Sequence, residues 1–176
     1  MHVLRRLDHE LFRRAAAWHA PALDAALPRL SHAANHSVLW MALAVPIALS
    51  GRRGRRAAVR GLTSIALASS VTNLGIKQVF RRTRPSLDGV PLIRHVRRVP
   101  VTTSFPSGHA ASAAAFTTGV SLELPELAIP VGTLAAAVAY SRVHVGVHYP
   151  GDVLVGAALG AGLALATAAF RRPGRR

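Results

Sequence analysis

A chain of 176 residues is long enough for one domain and too short for two comfortable ones. Apolar residues make up 51% of it and charged residues only 16%, which excludes a disordered chain, and the lack of cysteine excludes disulfide scaffolds, thiolate metal sites and cysteine nucleophiles. Its 22 Lys and Arg side chains, of which Lys77 alone is lysine, stand against 7 acids for a formal charge of +15, so anionic partners are implied.

The chain opens on an arm, residues 1–29. There Leu4, Leu7, Leu11 and Ala15 recur at helical spacing opposite Arg5, Arg6, Arg13 and Arg14, the pattern of an amphipathic helix that lies on a membrane surface without crossing it. No short apolar core with an A-x-A cleavage pattern follows the first basic residues, so the arm is expected to stay in the mature protein. Pro21 and Pro28 are expected to break it into two pieces.

Five stretches without Lys, Arg, Asp or Glu follow, at 30–51, 61–76, 99–122, 127–141 and 153–170. One small soluble domain would have to bury all five, and the mean hydropathy is +0.30. The expected fold is therefore all-α: an integral membrane bundle of about five spanning helices, with a catalytic domain at 30–170 behind the arm and a basic tail at 171–176. Pro46 is expected to kink the first of these helices. In the last, Gly156 and Gly160 beside Ala157 and Ala161 permit close helix packing, which closes the bundle within one chain; a dimer seam is the other use of such a stripe.

Arginines mark the segment ends. Arg52, Arg53, Arg55, Arg56 and Arg60 crowd one connection and Arg171, Arg172, Arg175 and Arg176 close the chain; five crossings put both groups on one face, with Glu123 and Glu126 in a short turn there. Arg81, Arg82, Arg84, Arg94, Arg97 and Arg98 fall on the opposite face. Since part of this second group serves the chemistry below, the first group is read as cytoplasmic, which makes the protein a multi-pass cell-membrane protein with an extracytoplasmic active site. Without a nucleic-acid module or an aromatic platform, scattered arginines do not make a nucleic-acid partner.

Three motifs carry the chemistry. Lys77 and Arg84 are seven residues apart, two helical turns, so a shared face would take both to one site, although Pro85 discourages helix at Arg84. Pro106-Ser107-Gly108-His109 opens an Ala-rich helical run whose first N–H groups are unsatisfied; Ser107 can cap that helix and Gly108 lets a ligand approach its backbone. In Ser141-Arg142-x5-His148-x3-Asp152, Pro150 suits the first position of a helix, which lets Asp152 reach back to one imidazole nitrogen of His148 and leaves the other free. Snorkelling cations, an ordinary N-cap and a capped helix beside an incidental histidine are the structural alternatives for the three.

These spacings, K-x6-RP, PSGH and SR-x5-H-x3-D in this order, resemble the type 2 phosphatidic acid phosphatase (PAP2) superfamily of membrane lipid phosphatases, and more loosely its short actinobacterial members. The resemblance implies a PAP2/haloperoxidase-like helical core. It also implies that His148 attacks phosphorus to form a phosphohistidine, that Asp152 orients it, and that His109 protonates the leaving oxygen. Lys77, Arg84, Ser107, Gly108 and Arg142 would hold the phosphate. Family members commonly have six spanning helices; here the amphipathic arm stands where the first would be. His144 does not match the motif and is read as a group that supports the site from behind or as a structural one.

Three fixed cations can replace a divalent metal, so neither a metal nor another cofactor is expected. The expected partners are a phosphorylated lipid, with phosphatidic acid and polyprenyl mono- or diphosphates as the candidates, and a bilayer containing anionic lipids. The short, basic stretch 86–105 has no room for a large lid; Arg94, Arg97 and Arg98 there would either attract head groups or sit on a solvated loop face. Two other classes fit parts of the pattern: a vanadate-dependent haloperoxidase, with His148 as vanadate ligand, and a non-catalytic membrane scaffold.

Overall fold

Helix α1 (His2–Ala17) opens the chain in a computed structural model that describes residues 2–96 and 101–169. Arg97, Arg98 and the tail 171–176 lie outside the described residues. The leucine stripe of α1 faces outward, with Leu7 and Leu11 exposed, and the helix packs on the protein through the buried Phe12 and Ala16. The larger Phe12 ring decides the rotation, because it docks edge-on against Tyr149 at 5.6 Å and joins a small core with Val90, Ala110, Val143 and Val153. Asp8, one turn before Phe12, is carried inward on the same face.

Helix α2 (Pro21–Ala33) starts at Pro21, as its fixed φ favours, but contains Pro28 without ending there. The break comes later, at Asn35–Ser37, where His36 (φ 52°) and Ser37 (φ 61°) are left-handed and end the helical path. The axis turns by 64° between α2 and the segment that leads into α3 (Val38–Leu49). Helix α2 thus runs uninterrupted through residues 29 and 30.

Helix α4 (Arg52–Ser70) continues through a π-helical turn (Val71–Ile76) into a last short turn, α5 (Lys77–Val79). After a long connection come α6 (Gly108–Ser121), α7 (Ala128–His144) and α8 (Pro150–Ala169). No strand occurs among the described residues. Helix α6 packs against α4, α7 and α8, and Phe116 on it meets Trp40 of α3 at 5.3 Å in the main core.

Glycines let these backbones touch. A side chain at Gly156 would overlap the carbonyl oxygen of Ser107, and one at Gly160 that of Ala111, so α8 lies directly on the start of α6. The stripe therefore closes the bundle within one chain. Gly160→Ala must push two helix backbones apart; we expect it to lower stability by about 1–3 kcal/mol, read as an earlier thermal transition in detergent.

By length and apolarity α8 alone qualifies as a spanning helix among the described residues, with the bent α2–α3 pair as a second. The first and third apolar runs are longer than their helices. The first is broken at Asn35–Ser37, and the third is helical only over Gly108–Ser121, which reaches roughly 21 Å against about 30 Å of hydrocarbon. The second run continues a helix whose first turns carry arginines. These arginines lie beside the α6–α7 turn: Arg60 pairs with Glu123 at 2.7 Å, and Arg53 with Glu126 at 3.7 Å. The three motifs gather at the other end.

Candidate active site

Helix α5 stops at Val79 and the chain is extended from Phe80, so Lys77 and Arg84 do not share a helical face as the spacing suggested. The loop turns Arg84 back instead. Its guanidinium donates to the carbonyls of Thr102, Thr103 and Val147 at 3.0, 3.2 and 2.7 Å, and to Thr102 Oγ1 at 3.2 Å. Lys77 Nζ lies 3.5 Å from the same hydroxyl.

Ser107 is the N-cap of α6, receiving the Ala110 N–H at 3.5 Å, and its own N–H donates to the Asp152 carbonyl at 2.9 Å. It is fully buried behind the site. His109, in the first turn, stands 2.9 Å through Nε2 from Oδ1 of Asn35. Asn35 faces His32 Nδ1 with its amide nitrogen at 3.4 Å, an arrangement that makes Oδ1 the acceptor of the His109 proton.

Helix α7 ends at His144, and just beyond it Gly146, with a φ of +76°, turns the chain sharply. The N–H groups of Val147 and His148 then bond back to the Arg142 carbonyl, both at 3.2 Å, which places His148 under the end of the helix that carries Arg142. Arg142 is buried and donates through Nη1 to Ser31 of α2. His148 Nε2 lies 3.4 Å from Arg84 Nη1, and its Nδ1 lies 3.7 Å from Asp152 Oδ2. The carboxylate therefore pairs with the imidazole across a gap longer than a hydrogen bond.

Asp152 is held on every side. Oδ2 accepts the Tyr149 N–H at 3.0 Å, as a first-turn acid reaches back over a helix start, and the Ser104 hydroxyl; Oδ1 accepts from Arg82 at 2.8 Å. Arg82 also binds Asp8 of α1 at 2.7 Å and lies over the Tyr149 ring at 4.2 Å.

Lys77, Arg84, Gly108, His109, Arg142 and His148 all line one cavity of about 940 Å³. Ser107 and Asp152, the other two residues predicted for the site, lie beneath its wall. Asn35, His95 and Thr102 also line it and carried no motif signal; Asn35-His36-Ser37 is, however, a polar trio inside the first apolar run. Arg94 is not a head-group magnet: it is fully buried, pairs with Asp24 at 2.7 Å and donates to the Ala16 and Trp18 carbonyls. A guanidinium tied to that many acceptors belongs inside. His144 is equally structural, 2.9 Å from Asp24. Among the described residues no group of three His, Asp or Glu side chains is placed to hold a metal ion.

A family model described as the PAP2 superfamily matches residues 57–176. The chain belongs to this superfamily. Decaprenylphosphoryl-5-phosphoribose phosphatase of Mycobacterium tuberculosis is 39% identical over 143 residues, covering 80% of this chain and 76% of that protein. The fold is similar to the first transmembrane PAP2 type phosphatidylglycerolphosphate phosphatase solved from Bacillus subtilis, with a TM-score of 0.75 and 23% identity over 99% of this chain and 90% of that one. Aquifex aeolicus LpxE also has a TM-score of 0.75, at 25% identity over 93% of this chain and 96% of its own. Within this PAP2 framework α1 and the α2–α3 break precede the matched residues, yet Asp8, Ser31 and Asn35 reach the site from them.

Burial depresses the pKa of His148 from 6.5 to about 4, with Arg142 and Arg84 acting in the same direction. The sign follows: a nucleophilic imidazole must be neutral, and this one stays neutral well below the ordinary histidine range. Single-turnover phosphoenzyme formation from p-nitrophenyl phosphate, whose leaving group needs little protonation, should therefore keep its rate from pH 7.5 to 5.5, where an unshifted histidine would be about nine-tenths protonated. The unfolded chain binds this proton near 6.5 and the folded one only near 4, so the group's contribution to stability falls as pH drops through that interval. A rate midpoint near 6.5 would contradict the assignment.

Proposed function

We propose that this PAP2 protein is a lipid phosphatase of the membrane that hydrolyses a phosphate ester or diphosphate through a phosphohistidine on His148. The observation that carries the reading is His148 Nε2 facing Arg84 at 3.4 Å in a cavity that also holds Lys77, Arg142 and His109. Nε2 attacks phosphorus as the bond to the leaving oxygen breaks, and His109 protonates that oxygen. Lys77, Arg84, Arg142 and the N-terminus of α6 hold the equatorial oxygens, a charge set that serves a phosphoryl group without a metal. Water, deprotonated by His109, then releases phosphate and frees His148.

The relatives support a polyprenyl-linked phosphate monoester over phosphatidic acid, since the mycobacterial protein is named for a decaprenyl-linked phosphoribose. The exterior supports the bilayer. On α8 the inward residues are small, Gly156, Gly160 and Ala164, and Leu154 and Leu165 point outward, 70% and 53% exposed. Helices α3, α4, α6, α7 and α8 would make the five passes, and α1 and α2 would stay on the active-site face. That face is extracytoplasmic if the paired Arg53 and Arg60 end is cytoplasmic.

The test is phosphate release by the purified protein from a polyprenylphosphoryl phosphoribose, a polyprenyl diphosphate and phosphatidic acid, with and without EDTA. Release from the first at the highest kcat/KM, unaffected by EDTA, is expected. Activity that disappears with EDTA and returns only with Mg²⁺ would overturn the metal-free reading, and bromide oxidation dependent on vanadate would favour a haloperoxidase.

A further inference from the structure

The N-terminal arm enters the active site from outside the region that matches the family model, through one carboxylate. Asp8 is 12% exposed and uses both oxygens: Oδ2 accepts from Arg82 Nη2 at 2.7 Å, and Oδ1 accepts the Gly151 N–H at 2.7 Å. Arg82 passes the contact on, since its Nη1 donates to Asp152 Oδ1 at 2.8 Å. Gly151 precedes Asp152 in the first turn of α8. Both contacts of Asp8 therefore end on the acid that faces His148 Nδ1. Tyr149 fixes the geometry: its ring lies under the Arg82 guanidinium and against His9 and Phe12 of α1, with centroids 4.5 and 5.6 Å away.

We infer that Asp8 is a positioning residue for the His148–Asp152 pair, acting through Arg82 and Gly151. Resting on the phosphohistidine reading above, the inference gives α1 a part in that chemistry. With Oδ1 of Asp152 held by Arg82, only Oδ2 faces the imidazole; with Gly151 tied to α1, the backbone that carries Asp152 cannot drift. An amide at position 8 has one acceptor oxygen and must give up one of the two bonds.

The experiment compares Asp8→Asn and Asp8→Glu, each in the full chain and in an Asp152→Asn background. Asp8→Asn should slow phosphohistidine formation on the order of 10- to 100-fold, the cost of a misplaced reacting group. KM should stay unchanged, because Lys77, Arg84 and Arg142 are untouched. Asp8→Glu should recover part of the rate. In the Asp152→Asn background Asp8→Asn should cost nothing further. Hydrogen–deuterium exchange across 147–153 should quicken in Asp8→Asn, a readout that stands apart from activity. An unchanged rate and unchanged exchange would overturn the inference, as would an undiminished loss in the Asp152→Asn background. A wild-type protein that turns over without forming a phosphohistidine would instead defeat the reading beneath it, leaving exchange to decide the role of Asp8.

Discussion

His148→Ala is expected to abolish turnover, with a loss of at least about 10⁴-fold in kcat. Its Nε2 lies against Arg84, and the neighbouring His144 is turned away toward Asp24. The cavity would keep Lys77, Arg84 and Arg142, so the variant should still bind the lipid phosphate with nearly its original affinity. The measurement is acid-labile labelling from a ³²P-substrate: absent in the variant, present in the parent. A phosphoenzyme that persists in His148→Ala would assign the nucleophile elsewhere.

The second large effect belongs to His109. A general acid contributes roughly 10²–10⁴-fold when the leaving oxygen is a poor leaving group, and a polyprenyl-linked sugar alcohol is one. His109→Ala should therefore lose that much on the lipid substrate but less than about tenfold on p-nitrophenyl phosphate, whose leaving group needs little protonation. The two-substrate comparison separates the acid from a merely structural histidine, which would depress both rates alike. Equal losses would leave the Asn35 contact as the main use of the ring.

What could be read from the sequence followed from local rules. PSGH marks a capped helix start whatever surrounds it, and Pro150 with Asp152 marks another; both helices begin where the spacing puts them. The elements that misled were those in which a local rule competes with packing. Pro28 was expected to break α2 and instead lies within it, because the left-handed pair at His36 and Ser37 ends the helical path. The leucine stripe of α1 was read from spacing alone, and what spacing could not tell is that Phe12 beside it packs on Tyr149 and fastens the helix to the protein. Arg94 sits in a basic stretch that reads as a head-group attractor or a solvated face, and its burial is explained by the distant Asp24 and the carbonyls of Ala15, Ala16 and Trp18.

Asp8, Asn35 and Ser31 were illegible for another reason. Each acts at a distance of more than 70 positions along the chain, and no spacing rule connects a residue in α1 or at the α2–α3 break with one in α6, α7 or α8. Arg82 stood inside the K-x6-RP spacing but in one of its unassigned places. Its role follows only from the two carboxylates that the fold brings to either side of it.

The glycine contact between α6 and α8 divides the labour of the molecule. Gly156 lies on the Ser107 carbonyl, Gly160 lies on that of Ala111, and the Ser107 N–H binds the carbonyl of Asp152. The helix start that presents His109 and the loop that presents His148 are thus welded into a single chassis. A long hydrocarbon guest that displaced the bent α2–α3 side would therefore be felt at the chemistry itself, because Ser31 and Asn35 there bond Arg142 and His109.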